Sequence, residues 1–172
     1  MLRITALLLL SGWAAAACSP TFNWREVRAG ATGLKAVLPC KPDKGSRMVE
    51  MVGRQVSLEV VGCDTGGATF ALMSADLADP ARSGQALAQW KKATLANMRG
   101  SVTQERPFVP SGAHEVPESL RVSAQGQRQN GTRVESQAAY FARGSRVFQA
   151  VIYAETVKPE MSETFFSGLE LE

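Results

Sequence analysis

Three alternating segments in the C-terminal half, Leu120 to Gln129, Arg133 to Ala142 and Arg146 to Thr156, constrain the fold more than any other feature of the chain. Their junctions are Asn130-Gly131, a strong short hairpin signal, and Gly144-Ser145. Strands joined by turns this short must run antiparallel. Val134 and Tyr140 line one side of the middle segment, while Phe148, Ala150 and Ile152 line one side of the last, so the meander is expected to hide one face.

The same period of two recurs earlier. Phe22 to Arg28 reads as a strand, followed by a glycine-rich break from Gly30 to Gly33. Leu34 to Leu38 is a second strand, ended by Pro39, which has no N–H to continue a ladder. Met48 to Val52 and Gln55 to Val61 are two strands hinged at Gly53-Arg54, and Gly66-Gly67 marks the next turn. Thr69 to Ala75 is apolar on both faces, as a central strand should be. A single long helical pattern lies between Asp79-Pro80 and Gly100. Leu87, Trp90, Thr94 and Met98 form its inner stripe with Trp90 as the expected core anchor, Asp79 or Ser83 caps the start, and Gly100 takes the left-handed position at the end. Val102 to Phe108 is a further strand, and Pro107, Pro110, Gly112 and Pro117 then break the chain. A short helix from Pro159 to Phe166, with Leu169 and Leu171 behind it, completes the core. This order predicts an α+β fold: an antiparallel sheet with one long helix and a short C-terminal helix.

The first residues carry a different signal. Met1-Leu2-Arg3 gives one positive charge, an apolar run follows from Ile4 through Leu10, and Ala15-Ala16-Ala17-Cys18 closes it. The run is too short to span a bilayer and reads as an export signal over residues 1–17. Its last four residues resemble the lipobox of bacterial lipoproteins, in which small residues precede a cysteine that is acylated and becomes the new N-terminus. Ala15-x-Ala17 also suits ordinary secretory cleavage at the same bond. Cysteine parity favours acylation of Cys18, because it leaves Cys40 and Cys63 as an even pair in an oxidising compartment. Both end strand-like segments that one sheet would bring together, so a Cys40–Cys63 disulfide is expected. More than one acyl chain on Cys18 makes a stable hold on membrane lipid. By resemblance to proteobacterial lipoproteins, Ser19 in place of Asp favours the outer membrane, periplasmic face. The organisation expected is therefore a leader over 1–17, a lipidated tether and strand over 18–32, and one α+β domain over 33–172.

Two segments resemble the bacterial domains related to the photosystem II extrinsic protein PsbP. Leu34-Lys35-Ala36-Val37-Leu38-Pro39-Cys40-Lys41-Pro42 is similar to their opening strand and Pro-x-Lys-Pro turn. Arg143 to Val151, followed by Phe165-Phe166-Ser167-Gly168-Leu169-Glu170-Leu171, resembles their closing hairpin and final helix and strand. The resemblance implies a PsbP-like sandwich whose members mostly bind or assist other proteins, with no catalytic set to carry over. The Phe22-Asn23-Trp24-Arg25 start also resembles proteobacterial lipoproteins, which implies location rather than activity.

Chemistry read directly from the residues is sparse. The chain has no CxxC, no phosphate-binding loop, no nucleophile-elbow glycine pattern and one histidine, so no metal or other cofactor is expected. A net charge of +3, mixed along the chain, does not call for nucleic acid. The one candidate polar cluster is Asp76 and Asp79, flanking a strand-to-helix loop, with His114 and Glu115 in the irregular stretch. Helix capping and solvent exposure account for these residues without acid–base work. Two functions follow: an anchored, noncatalytic binding or assembly protein of the envelope with a protein partner, or an envelope hydrolase using those four residues. A polar pocket uniting the four favours the second; a shallow surface with exposed apolar residues favours the first.

Overall fold

The computed structural model describes residues 21–172; the expected leader, Cys18 and the first tether residues lie outside them. In chain order the strands are β1 (Arg25–Arg28), β2 (Leu34–Leu38), β3 (Asp43–Met51), β4 (Arg54–Thr65), β5 (Ala68–Asp76), β6 (Ser101–Pro107), β7 (Leu120–Gln127), β8 (Arg133–Arg143), β9 (Arg146–Ala154) and β10 (Glu170–Leu171). The helices are α1 (Ser83–Asn97), preceded by a 3-10 turn at Pro80–Arg82, and α2 (Pro159–Ser167). Seven strands form one antiparallel sheet in the order β3-β4-β5-β9-β8-β7-β6, and β1-β2-β10 form a second, smaller one. The α+β expectation holds. No helix among the described residues is long and apolar enough to cross a membrane.

Alternation explains the layers. On β5 and β9, Phe70, Leu72, Phe148 and Ile152 face the small sheet and α2, where Leu34, Leu38, Phe165, Phe166 and Leu171 complete one core. Ala75, Val147 and Val151 face the other way, where Ala86 and Leu87 of α1 complete a second. The large sheet therefore lies between α1 on one side and the small sheet with α2 on the other. The meander does not hide one face only, as the pattern suggested. β8 and β9 bury both, because α1 folds back over the side left unassigned.

Several local expectations shift. The first strand starts at Arg25 rather than Phe22, and Phe22 and Trp24 instead set their rings edge-on against Phe70, at 6.2 and 5.8 Å between centroids. Asn130-Gly131 is part of a longer turn: Gly131 alone has positive φ, and Arg128 N–H donates to Thr132 O at 2.8 Å. At the start of the helix, Asp79 Oδ1 accepts from Ala81 N–H at 3.0 Å, whereas the Ser83 hydroxyl is buried and donates to Gly144 O at 3.0 Å. At its end the left-handed residue is Arg99, φ 46°, and not Gly100. Gly100 and Gly126 are instead needed for close approach, since a Cβ on Gly126 would meet Met98 O at 2.2 Å. Leu87, Thr94 and Met98 are buried as expected, but Trp90 is half-buried at the helix edge.

Cys40 and Cys63 form a disulfide, with their Cα atoms 6.0 Å apart. They do not belong to one sheet. Cys40 follows β2 in the small sheet and Cys63 lies in β4 of the large one, so the bridge ties the two layers together.

Candidate functional site

The four polar candidates divide between two local tasks. Asp76 closes β5; its Oδ1 accepts from Ala78 N–H at 2.9 Å and from the Ser145 hydroxyl at 2.7 Å, and Oδ2 lies 3.5 Å from Arg146 Nη2. The Ala78 N–H, then the Ser145 hydroxyl, hold the Asp76 carboxyl below the usual carboxylate range. His114 approaches the same turn from elsewhere, its Nδ1 accepting from Gly144 N–H at 3.1 Å. Asp76 and His114 thus brace the β8–β9 turn at Gly144-Ser145. Asp79 caps the 3-10 turn and lies 3.7 Å from Arg82, and Glu115 is exposed. None of the four lines the cleft described next. No group of three or more His, Cys, Asp or Glu among the described residues is placed to hold a metal.

A concave site does exist, on the α1 side of the large sheet. α1 packs mainly on β8 and β9 and also touches β3, leaving part of β3, β4 and β5 open beside it. The result is a cleft of about 390 Å³, within the range of small-molecule sites. Val49, Leu58 and Met73 make an apolar floor, Trp90 and Ala93 of α1 make one wall, and Arg47, Glu50 and Asn97 stand at the polar margins. At the inner end lie Gln149 and Tyr153 of β9. Met73 stands directly opposite Gln149 in the β5–β9 ladder, so the floor passes from apolar to polar at one strand boundary.

Gln149 is 1% exposed, and its Nε2 donates to Thr94 Oγ1 at 2.9 Å and to the Tyr140 hydroxyl at 3.0 Å. Both amide hydrogens are then engaged, while Oε1 has no donor among the described residues. Burial raises the Tyr140 phenol above its ordinary value, and polar contact with Thr94 and Gln149 acts against the rise. Tyr153 is pushed up to about 12, first by burial and then by the neighbouring Tyr140. It stays a neutral phenol throughout the physiological range.

The cleft also holds strained backbone. Val52, in the β3–β4 turn, has φ 47°, a left-handed conformation that a β-branched residue adopts at a cost of about 1 kcal/mol or more. Its N–H donates to Gln89 Oε1 at 3.1 Å and its carbonyl accepts from Arg82 Nη1 at 2.7 Å, so the peptide groups on both sides of Val52 are clamped from the helix region. Burial of the Val52 side chain adds to the hold.

Sequence reasoning did not find this site. Gln149 left one signal, a lone amide inside the run Val147-Phe148-Gln149-Ala150-Val151 of a central strand. Trp90 was visible, but its place at a wall depends on where α1 stops covering the sheet.

No family model and no curated protein matches the chain. Among solved structures it is similar to PA94 of Pseudomonas aeruginosa, a protein of unknown function, at 12% identity and TM-score 0.38 over 76% of this chain and 82% of that one. It is also similar to a protein of Bacteroides thetaiotaomicron VPI-5482, at 13% identity and TM-score 0.41, over 81% of this chain but only 45% of the other. Likenesses at this level carry no argument about function.

Proposed function

We propose that this chain is a membrane-anchored lipoprotein of the cell envelope, held at the periplasmic face of the outer membrane through acylated Cys18, and that it works by binding rather than catalysis. The cleft between α1 and β3–β5 carries this reading. It offers an apolar floor, an aromatic wall and a buried amide with an unused acceptor, a set suited to recognising a partner group. Asp76 and His114, the residues best suited to acid–base work, are engaged in bracing a turn. The disulfide supports an oxidising compartment.

The layers support the PsbP-like sandwich as the finer description of the fold. The two segments that carry that resemblance come together in space, since β2 pairs with β10 through Leu34–Leu171 and Lys35–Glu170.

Two measurements test the proposal. Intact mass of the protein from membranes should show Cys18 as an acylated N-terminus; a retained leader or a bare Cys18 overturns the anchor. A photo-crosslinking residue at Asn97, on the cleft margin, should give a discrete adduct with an envelope component that Trp90→Ala abolishes. Adducts formed only from positions outside the cleft would overturn the binding site.

A further inference from the structure

On the opposite face of the large sheet, β6, β7 and β8 meet the start of α2 around a hollow of about 260 Å³. Arg121 of β7 faces it with only 7% of its side chain exposed, and Arg106 of β6 stands directly opposite in the antiparallel register. Like charges placed so destabilise a strand pair and call for an anion between them. Glu163 is the one carboxylate lining the hollow, 3.1 Å from Arg121 Nη2 and 4.0 Å from Arg106 Nη2. It is 68% exposed, so a single solvated carboxylate serves two guanidinium groups.

The Arg121 guanidinium is fixed before any ligand arrives. Its carbon sits 4.2 Å over the centre of the Phe166 ring, and Nη2 donates to Gln137 at 2.8 Å as well as to Glu163. Nε and Nη1 have no acceptor among the described residues. Burial lowers the Arg121 pKa, Glu163 opposes that and Arg106 adds to it, the pattern of a cation short of compensating charge. The first turn of α2 contributes Pro159 and Ser162 to the rim, and no side chain caps that end of the helix. In that turn Pro159 has no N–H, the Ser162 N–H is taken by Lys158 O at 3.2 Å and Glu160 offsets the helix dipole, so the positive charge of the hollow rests on the two arginines.

We propose that this hollow binds a phosphate group, clamped between Arg106 and Arg121, with Glu163 as the internal carboxylate it displaces. A guanidinium offers two parallel donors to phosphate oxygens, and two arginines on adjacent strands can engage different oxygens of one tetrahedral group. The group is carried either by free phosphate or by a phospholipid headgroup.

The test uses the full chain in nonionic detergent at low ionic strength, titrated calorimetrically with inorganic phosphate and, separately, with phosphatidylglycerol or phosphatidylcholine in mixed micelles. Saturable binding of inorganic phosphate identifies the free anion; binding of either phospholipid without inorganic phosphate identifies the headgroup. Arg106→Gln, at an exposed side chain, should weaken the interaction roughly tenfold, the worth of a charge-assisted hydrogen bond. Glu163→Gln should tighten it, because the competing carboxylate is gone; a merely structural ion pair predicts no such gain. The proposal is overturned if none of the three probes binds wild type or Glu163→Gln, or if Arg106→Gln, folded by circular dichroism, binds as wild type does. The Cys18 anchor stands or falls separately, by its mass.

Discussion

Gln149 is a polar side chain in the middle of a central strand, tolerated because both its amide hydrogens find acceptors, in Thr94 and Tyr140. Gln149→Leu keeps the volume but leaves two buried hydroxyls without that donor, which should destabilise the fold by about 1–3 kcal/mol in urea unfolding. Stability unchanged within error would mean that the hydroxyls find other partners. Tyr153, four residues along the same strand, gives a pH signature. Its folded pKa of about 12 lies above the ordinary phenol value of 10.0, so between these limits the native state binds the proton more tightly than the unfolded chain. Stability is therefore untouched by this group below about pH 10 and falls as pH rises toward 12, by about 2–3 kcal/mol at 1.36 kcal/mol per pH unit. Tyr153→Phe should flatten that decline while leaving the neutral-pH value within about 1 kcal/mol. At this scale the sequence was informative about residue type and silent about partners. Asp76 and His114 stood out as polar groups near turns, yet the turn they brace is contributed by residues 144 and 145, far from both in the chain.

Strand position was legible for most segments with one or both faces apolar. β2 falls on Leu34–Leu38 as expected, and β5, β8 and β9 lie within a residue or two of their alternating runs at most ends. β3 begins five residues before its expected start at Met48, because Asp43-Lys44-Gly45-Ser46-Arg47 is solvent-exposed and carries no hydrophobic period. Only its backbone ladder to β4 makes it a strand. Helix α1 shows the converse limit: its periodicity was plain, but its mean direction across the sheet, and hence the cleft beside it, is fixed by tertiary packing. The glycines at its far end make this checkable. Gly126→Ala would drive a Cβ to 2.2 Å from Met98 O and 2.9 Å from Gly100 Cα, both backbone atoms that cannot swing away. A loss of about 1–3 kcal/mol is expected in denaturant unfolding, as for other overpacked sites. Gly45→Ala, in open space on β3 with no positive φ, should instead be neutral or stabilise by about 0.5 kcal/mol. Equal effects of the two substitutions would mean that the helix end can shift away from β7.

At the scale of the whole molecule, the small sheet reaches the large one through the aromatic core and through one covalent link. The core contact is a chain of edge-on rings, Trp24 and Phe22 on Phe70, Phe70 on Phe165 at 5.5 Å, and Phe165 on Phe166 at 5.0 Å. Cys40–Cys63 crosses the same gap at its edge, closing a loop of sequence separation 23 that contains all of β3 and most of β4. Because β3 is exposed on almost every residue, its own burial does little to hold this loop, and the bridge limits how far the unfolded chain can spread. The chain-entropy argument gives about 3 kcal/mol for a loop of this length, which corresponds to a shift on the order of 10 °C in Tm for a domain of this size. Oxidised protein denatured without reductant should leave Cys40 and Cys63 closed to alkylation, and the Cys40→Ser, Cys63→Ser double variant should unfold at the lower temperature. Its aromatic core is untouched, so the sharp aromatic bands in near-ultraviolet circular dichroism of the folded variant should match wild type, with only the broad disulfide contribution lost. Alkylation of both cysteines without reductant would remove the bridge from the account, and an unchanged Tm in the double variant would assign the joining of the layers to the aromatic contacts alone.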